Sequence, residues 1–277
     1  MKHLSYIWEK LEREICRKNI FLFLDYDGTL TQIVDSPRKA VLSISVKKVL
    51  RSLARVPRIQ LAIVTGRSMC DIKKLVGIKK IIYVANHGLE IEAPGLKFVS
   101  PASNSLKKIV KNMSEELNDK LSGIQGVVVE NKGLTLSIHY RLAASTDLMK
   151  IRDVLRTNVE PYLLRKKLKI DEGKQVLEVK PLVEWNKGDA VLWLLEKYEG
   201  KIGWKDAWPI YIGDDTTDED AFRAIKGKGL TVFVGKLMKS HARCFLRDHN
   251  EVEEFLKRIL EKYKGRMNKG KGPAAIV

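Results

Sequence analysis

The sequence predicts an α/β fold: a doubly wound, Rossmann-like parallel sheet core interrupted by a small inserted α+β cap. Three observations predict it. Over the first hundred residues, short apolar runs alternate with stretches of helical spacing, the rhythm of βαβ units with helices on both sheet faces. From about residue 102 this gives way to two strand pairs separated by a helix, antiparallel in character. After Pro181 the alternation returns. The expected boundaries are 1–101 and 182–264 for the core, 102–181 for the cap and 265–277 for a flexible basic tail.

The first core strand is Ile20-Phe21-Leu22-Phe23-Leu24, a bounded, aromatic-rich run far shorter than the roughly 20 apolar residues of a membrane span. Asp25-Tyr26-Asp27-Gly28-Thr29 follows it directly. Two carboxylates one residue apart therefore leave the strand's carboxyl end, over a glycine that lets the backbone turn sharply. That edge of an open α/β sheet is where ligands bind. Carboxylates so close repel each other, and a divalent cation or a shared proton relieves the repulsion. The pair reads as a nucleophile and an acid/base held by a metal.

The remaining elements follow in order. Val46, Val49, Leu50 and Leu53 share one face of a helix around Ile44–Val56. Ile59–Val64 is a second strand, Met69–Val76 a short helix, and Ile81–Val84 a third strand that ends at Asn86-His87-Gly88. The cap opens with a long helix, about Asn104–Leu121. Val127–Glu130 and Leu134–Tyr140 then pair across the turn Asn131-Lys132-Gly133. A second helix, about Thr146–Leu164, precedes Leu168–Ile170 and Val176–Val179. In the returning core, helix Asp189–Tyr198 leads to strand Ile210–Ile212. The acidic stretch from Asp214, a helix near Glu219–Ile225, strand Leu230–Val234 and a last helix over Val252–Tyr263 complete it.

Composition narrows the class. The 277 residues are 44% apolar and 31% charged, enough for a substantial core. The mixed charges of Met1–Lys10 are wrong for a signal peptide, and three scattered cysteines (Cys16, Cys70, Cys244) lack the paired spacing of a zinc site. These features lead us to expect a cytoplasmic protein with no membrane partner. The formal charge of +17 is partly the tail, where Lys262, Lys264, Arg266, Lys269 and Lys271 meet no acidic residue. The surplus attracts anions, nucleic acid or a phosphorylated metabolite, or simply aids solubility, and charge alone does not choose.

Position is more informative. Asp25 follows the first strand, Thr65-Gly66-Arg67 the second, and Gly213-Asp214-Asp215 a fourth, while Lys187 heads a helix after Asn186. In a doubly wound sheet these ends line one crevice. A hydroxyl, a guanidinium, an ammonium and several carboxylates meeting there suit phosphoryl transfer, which is mostly positioning and charge neutralisation. Each piece alone has a plainer reading: Asp25 and Asp27 as turn residues, Thr65-Gly66-Arg67 as a strand-to-helix turn, Asp214–Asp220 as charge complementing a helix dipole, Lys187 as a solvated helix-start lysine. Their order along one edge favours the joint reading.

These four segments resemble the signature motifs of the haloacid dehalogenase superfamily of phosphohydrolases. Asn86-His87-Gly88-Leu89-Glu90, Glu130-Asn131-Lys132, His139-Tyr140-Arg141, Gly173-Lys174, Leu177–Pro181 and Asn186-Lys187-Gly188 extend the resemblance to the trehalose-6-phosphate phosphatases. The resemblance implies that Asp25 is the nucleophile and Asp27 the general acid/base, with Thr65 and Lys187 on the phosphate oxygens. It implies Mg²⁺ held by Asp25, the Asp27 carbonyl and Asp214, supported by Asp215 or Asp218, which the sequence does not rank. Arg67 and His87 would sit at the crevice rim, and Glu130, Lys132, Arg141, Lys174 and Glu178 would bind the sugar. The implied reaction is hydrolysis of trehalose 6-phosphate, the last step of trehalose biosynthesis, with a small sugar phosphate as partner; a monomer is expected because nothing suggests a long apolar seam. Other phosphorylated glycosides (sucrose phosphate, mannosyl-3-phosphoglycerate) are the rival substrates. A basic nucleic-acid-binding protein and an idle sugar-phosphate sensor are rivals of other classes. The first lacks any recognition motif here, and against the second every reactive residue is present.

Overall fold

All six residues of Ile20–Asp25 are buried, as are all six of Trp208–Gly213. Burial at every position, rather than at alternate ones, marks strands covered on both faces. The structure, a computed structural model, describes residues 1–34, 39–100, 103–173, 175–200, 204, 206–236 and 239–269. Its elements in chain order are β1 (Lys2–His3), α1 (Trp8–Arg17), β2 (Ile20–Asp25), α2 (Ile44–Leu53), β3 (Ile59–Val64), α3 (Met69–Val76), β4 (Ile82–Ala85), β5 (Glu90–Ala93) and β6 (Leu96–Val99). Then come α4 (Ser103–Leu121), β7 (Val128–Asn131), β8 (Leu136–His139), α5 (Leu148–Leu164), β9 (Leu168–Gly173) and β10 (Val176–Pro181). The chain ends with α6 (Lys187–Glu199), β11 (Trp208–Gly213), α7 (Asp218–Ala224), β12 (Leu230–Val234), β13 (Cys244–Leu246) and α8 (His249–Lys269).

Nine strands form one sheet in the order β1-β13-β12-β11-β2-β3-β4-β5-β6. Pairing is parallel from β1 to β4, and the β5–β6 hairpin adds an antiparallel edge. Alternation along β2 sends Ile20, Leu22 and Leu24 to one face, where α1, α2, α3 and α8 pack. Phe21 and Phe23 go to the other, against α6 and α7. This is the doubly wound arrangement the sequence predicts. The antiparallel hairpin was not anticipated, because its four-residue strands are half exposed and carry no long apolar run.

The second sheet is fully antiparallel, β7-β8-β10-β9, and covers α4 and α5. Leu136, Ile138, Leu177 and Val179 point into that helical layer. The opposite face is polar, with Glu130 and Glu178 each in register with Ser137. One residue of slip would exchange the two faces, so the apolar set fixes the register. Helix α8 continues to Lys269, so 265–269 extend a helix rather than begin the expected flexible tail, and 270–277 lie outside the described residues. Among the described residues, no helix is long and apolar enough to cross a membrane.

Candidate active site

Strands β2 and β11 are parallel neighbours, with Leu24 opposite Ile212. Their carboxyl ends therefore deliver Asp25 and Asp214 side by side. Carboxylate oxygens of Asp25, Asp214 and Asp218 all lie within 4.8 Å of one another, and all three residues are buried. Thr29 donates from its hydroxyl to Asp214 Oδ1 at 3.2 Å. Gly28 makes the close approach feasible: its φ is +88°, and a Cβ there would fall 2.2 Å from Asp214 Oδ2.

Lys187 is brought to this cluster by the start of α6. Asn186 accepts from the N–H groups of Gly188 and Asp189, and Asp189 Oδ2 accepts from the Asn186 N–H at 2.8 Å. This reciprocal cap sets the helix start. Lys187, 2% exposed, donates from Nζ to Asp25 Oδ1 at 2.8 Å and to Asp218 Oδ1 at 2.7 Å. Burial, helped by the charges of Asp218 and Asp214 and opposed by Lys187, pushes the Asp25 carboxyl well above its ordinary range. Burial disfavours the Lys187 ammonium, yet Asp218 and Asp25 outweigh it and hold the group well above its usual value. Asp218 and Asp215 have different parts. Asp218 also accepts from Tyr211 Oη at 2.7 Å and from the N–H groups of Asp214 and Asp215 at 3.1 and 3.0 Å. Asp215 accepts from the next residue's N–H, Thr216, at 2.7 Å.

On the other side of β2, Thr65 follows β3, and its Oγ1 accepts from the Arg67 N–H at 3.1 Å. Arg67 was expected at the rim, but it is 5% exposed. Its Nε and Nη2 each donate to Asp27 at 2.7 Å, its Nη1 donates to Asp71 at 2.7 Å, and its guanidinium lies over the Tyr26 ring. Its planar fork thus holds both Asp27 oxygens. His87 approaches so closely that a Cβ on Gly66 would meet its ring at 2.4 Å. His87 Nε2 lies 3.2 Å from Glu178 Oε2, and Nδ1 is buried with no hydrogen-bond partner among the described residues. Burial, opposed by Glu178, holds the imidazole below its usual value.

The polar face of the second sheet faces these groups. Lys132 Nζ donates to Glu178 Oε1 at 2.9 Å, Ser137 Oγ to the same oxygen at 3.0 Å, and Lys180 Nζ lies 2.7 Å from Glu178 Oε2. Burial opposes ionisation of Glu178, but Lys132, His87 and Lys180 prevail and hold it well below the usual carboxylate range. Glu130 pairs with His139 Nε2 at 2.8 Å. Arg141, two residues past the end of β8, donates to the Val34 carbonyl at 2.8 Å and to Gln175 at 3.0 Å.

Between these two walls lies a cavity of about 560 Å³, lined by Asp25, Asp27, Thr65, Arg67, His87, Glu130, Lys132, Arg141, Glu178, Lys187, Asp214 and Asp215. Asp218 is fully buried behind that lining, and Lys174 lies outside the described residues. Sequence reasoning quoted Thr29, His139 and Lys180 within motifs without giving them a part, and passed over Tyr211, Asp71 and Ser137 as site residues. Alternation could have found Lys180 and His139, since residues two apart on a strand share a face with Glu178 and Ser137. Tyr211 carried no such signal, because in the sequence it is one more apolar position of β11.

Comparison with known proteins accords with this geometry. Residues 23–250 match the trehalose-phosphatase family. Trehalose-phosphate phosphatase B of Arabidopsis thaliana is 34% identical over 258 residues, covering 88% of this chain and 67% of the relative. A solved trehalose-6-phosphate phosphatase related protein superposes with a TM-score of 0.77 at 25% identity, covering 89% of this chain and 99% of the other. The C-terminal domain of the C. albicans trehalose-6-phosphate phosphatase gives 0.74 at 25% identity, covering 94% and 98%. With a match that runs through both sheets, the chain belongs to the trehalose-phosphatase family.

Proposed function

We propose that this chain hydrolyses trehalose 6-phosphate to trehalose and inorganic phosphate through a covalent phosphoryl-aspartate on Asp25. The observation that carries the reading is the meeting of Asp25, Asp214, Asp218 and Lys187 at one sheet edge, beneath a cap face built of hydrogen-bonding groups. Three buried carboxylates meet there around one ammonium that pairs with Asp25 and Asp218, and the surplus of negative charge on hard oxygen donors fits Mg²⁺. Asp25, Asp214 and the Asp27 carbonyl would hold the ion, with Asp218 bracing the Asp214 backbone. Bound there, Mg²⁺ supplies Lewis-acid charge to the phosphoryl oxygens.

The chain's own groups do the rest. An Asp25 oxygen forms a bond to phosphorus as the bond to the sugar oxygen breaks. Asp27 gives its proton to that departing oxygen, then takes one from the water that attacks the phosphoryl-aspartate and restores Asp25. Arg67 engages both Asp27 oxygens at 2.7 Å, so Asp27 must release at least one of them to reach the leaving group. Thr65 and Lys187 hold the non-reacting phosphate oxygens. Glu130, Glu178, Lys132, Arg141 and Lys174 present acceptors and donors to the hydroxyls of the second glucose unit. Cytoplasmic residence and a monomeric state belong to the same proposal: three cysteines present as thiols support the first, and sedimentation checks the second.

Inorganic phosphate release from trehalose 6-phosphate tests the reading directly. It should require Mg²⁺, stop with EDTA and exceed release from sucrose phosphate and mannosyl-3-phosphoglycerate by at least tenfold. Equal release across that panel would move the substrate away from trehalose 6-phosphate, and indifference to EDTA would remove the metal.

A further inference from the structure

Asn86 is fully buried in left-handed backbone, φ 49°, and His87 beside it has φ 56°. Two consecutive non-glycine residues in that region persist only where the surroundings hold them. Three separate parts of the molecule do so. From the Thr65–Arg67 loop, the carbonyls of Arg67 and Thr65 accept from the N–H groups of Asn86 and His87 at 2.9 and 3.0 Å. From the segment between β10 and α6, Trp185 Nε1 donates to the Gly88 carbonyl at 2.8 Å. From the cap, the Thr135 hydroxyl donates to Asn86 Oδ1 at 3.0 Å, while Asn86 Nδ2 donates to the Lys132 carbonyl at 3.2 Å and to Glu90 at 2.8 Å.

The Asn86 amide thus grips both ends of the turn between β7 and β8. Lys132 closes that turn with its own N–H on the Thr135 carbonyl at 2.9 Å, and its side chain reaches Glu178 in the cavity. Asn86 itself does not line the cavity. We infer that Asn86 is a positioning residue whose side-chain clamp on Lys132 and Thr135 sets the Lys132–Glu178 pair against the Thr65–Arg67 loop, and so governs recognition of the sugar. The inference rests on the sugar-phosphatase reading above.

Asn86→Gly tests it cleanly, since glycine accepts the left-handed backbone while the amide is deleted. Thr135→Val removes the hydroxyl at nearly constant shape, and Thr135→Ser restores it. With trehalose 6-phosphate, Thr135→Val should raise KM about 5–10-fold, the usual scale for the one buried hydrogen bond it deletes, and Asn86→Gly, which deletes three, by at least as much, with kcat little changed in both. With p-nitrophenyl phosphate, which has no sugar for the cap to grip, kcat/KM should stay within about twofold, and Thr135→Ser should match wild type on both esters. Amide exchange over 131–135 should quicken in Asn86→Gly. Equal losses on both esters, an effect on kcat alone, or unchanged exchange over 131–135 would overturn the clamp. A wild type that hydrolyses neither ester would overturn the phosphatase reading instead, and the exchange measurement then judges the clamp by itself.

Discussion

Lys187 Nζ lies 2.8 Å from Asp25 Oδ1 across 162 positions of sequence, and the same ammonium lies 2.7 Å from Asp218 Oδ1. With the lysine 2% exposed, solvent screens the pair of contacts little. Removing one partner of a buried pair leaves uncompensated charge, which costs about 3–5 kcal/mol. Lys187→Met should therefore lower unfolding free energy by that amount in urea titrations and abolish turnover. A loss below about 1 kcal/mol would mean that the carboxylates find other compensation.

Asp25→Asn separates chemistry from stability. Its turnover should fall at least about a thousandfold, since the attacking oxygen is gone. Because burial and the neighbouring aspartates already disfavour the Asp25 charge, the variant in EDTA should melt at or above the wild-type temperature. Residual phosphate release at ordinary rates would remove Asp25 as nucleophile.

Glu178 meets Lys132, Lys180, His87 and Ser137 on the second-sheet side of the cavity. Glu178→Ala should reduce kcat/KM on trehalose 6-phosphate by about tenfold or more, through lost sugar contacts and the lysines left unpaired, and spare p-nitrophenyl phosphate. Parallel losses on the two esters would place specificity elsewhere.

Gly28 admits no side chain without moving Asp214, since a Cβ would fall 2.2 Å from Oδ2 on a backbone with φ +88°. Gly28→Ala should raise the Mg²⁺ concentration for half-maximal activity and cut turnover, while far-ultraviolet dichroism stays unchanged. An unaltered Mg²⁺ titration would show that Asp214 relaxes freely.

Acid stability should report on the second sheet. Burial opposes the Glu178 charge, yet Lys132, His87 and Lys180 hold its carboxyl well below the ordinary 4.5. A carboxyl depressed on folding contributes stability that is fully present above its unfolded value and lost as pH falls through its folded one. Wild-type melting temperature should therefore drop as pH falls below about 4.5, and Glu178→Gln should flatten that part of the profile. Superimposable profiles would show that the depressed carboxyl contributes nothing.

The core was legible because buried parallel strands are continuous apolar runs, and Ile20–Leu24, Ile59–Val64 and Leu230–Val234 announce themselves by local composition alone. Asp25, Thr65 and Asp214 were readable for the same reason: each terminates such a run, and strand ends in a doubly wound sheet share one edge. The N-terminal helix α1 and the β5–β6 hairpin went unread, since α1 mixes charge into every turn and the hairpin strands hold four residues each. What only the tertiary structure decided is which side chains meet across distance. It placed Asp218 rather than Asp215 against Lys187 and Tyr211, buried Arg67 on Asp27 and Asp71, and set Glu178 among two lysines, a histidine and a serine. Hydrophobic periodicity is a property of neighbouring residues and can be counted along a chain. Ion pairing depends on register, on side-chain reach and on exclusion of water, and these come into being only once separate strands and helices are packed together.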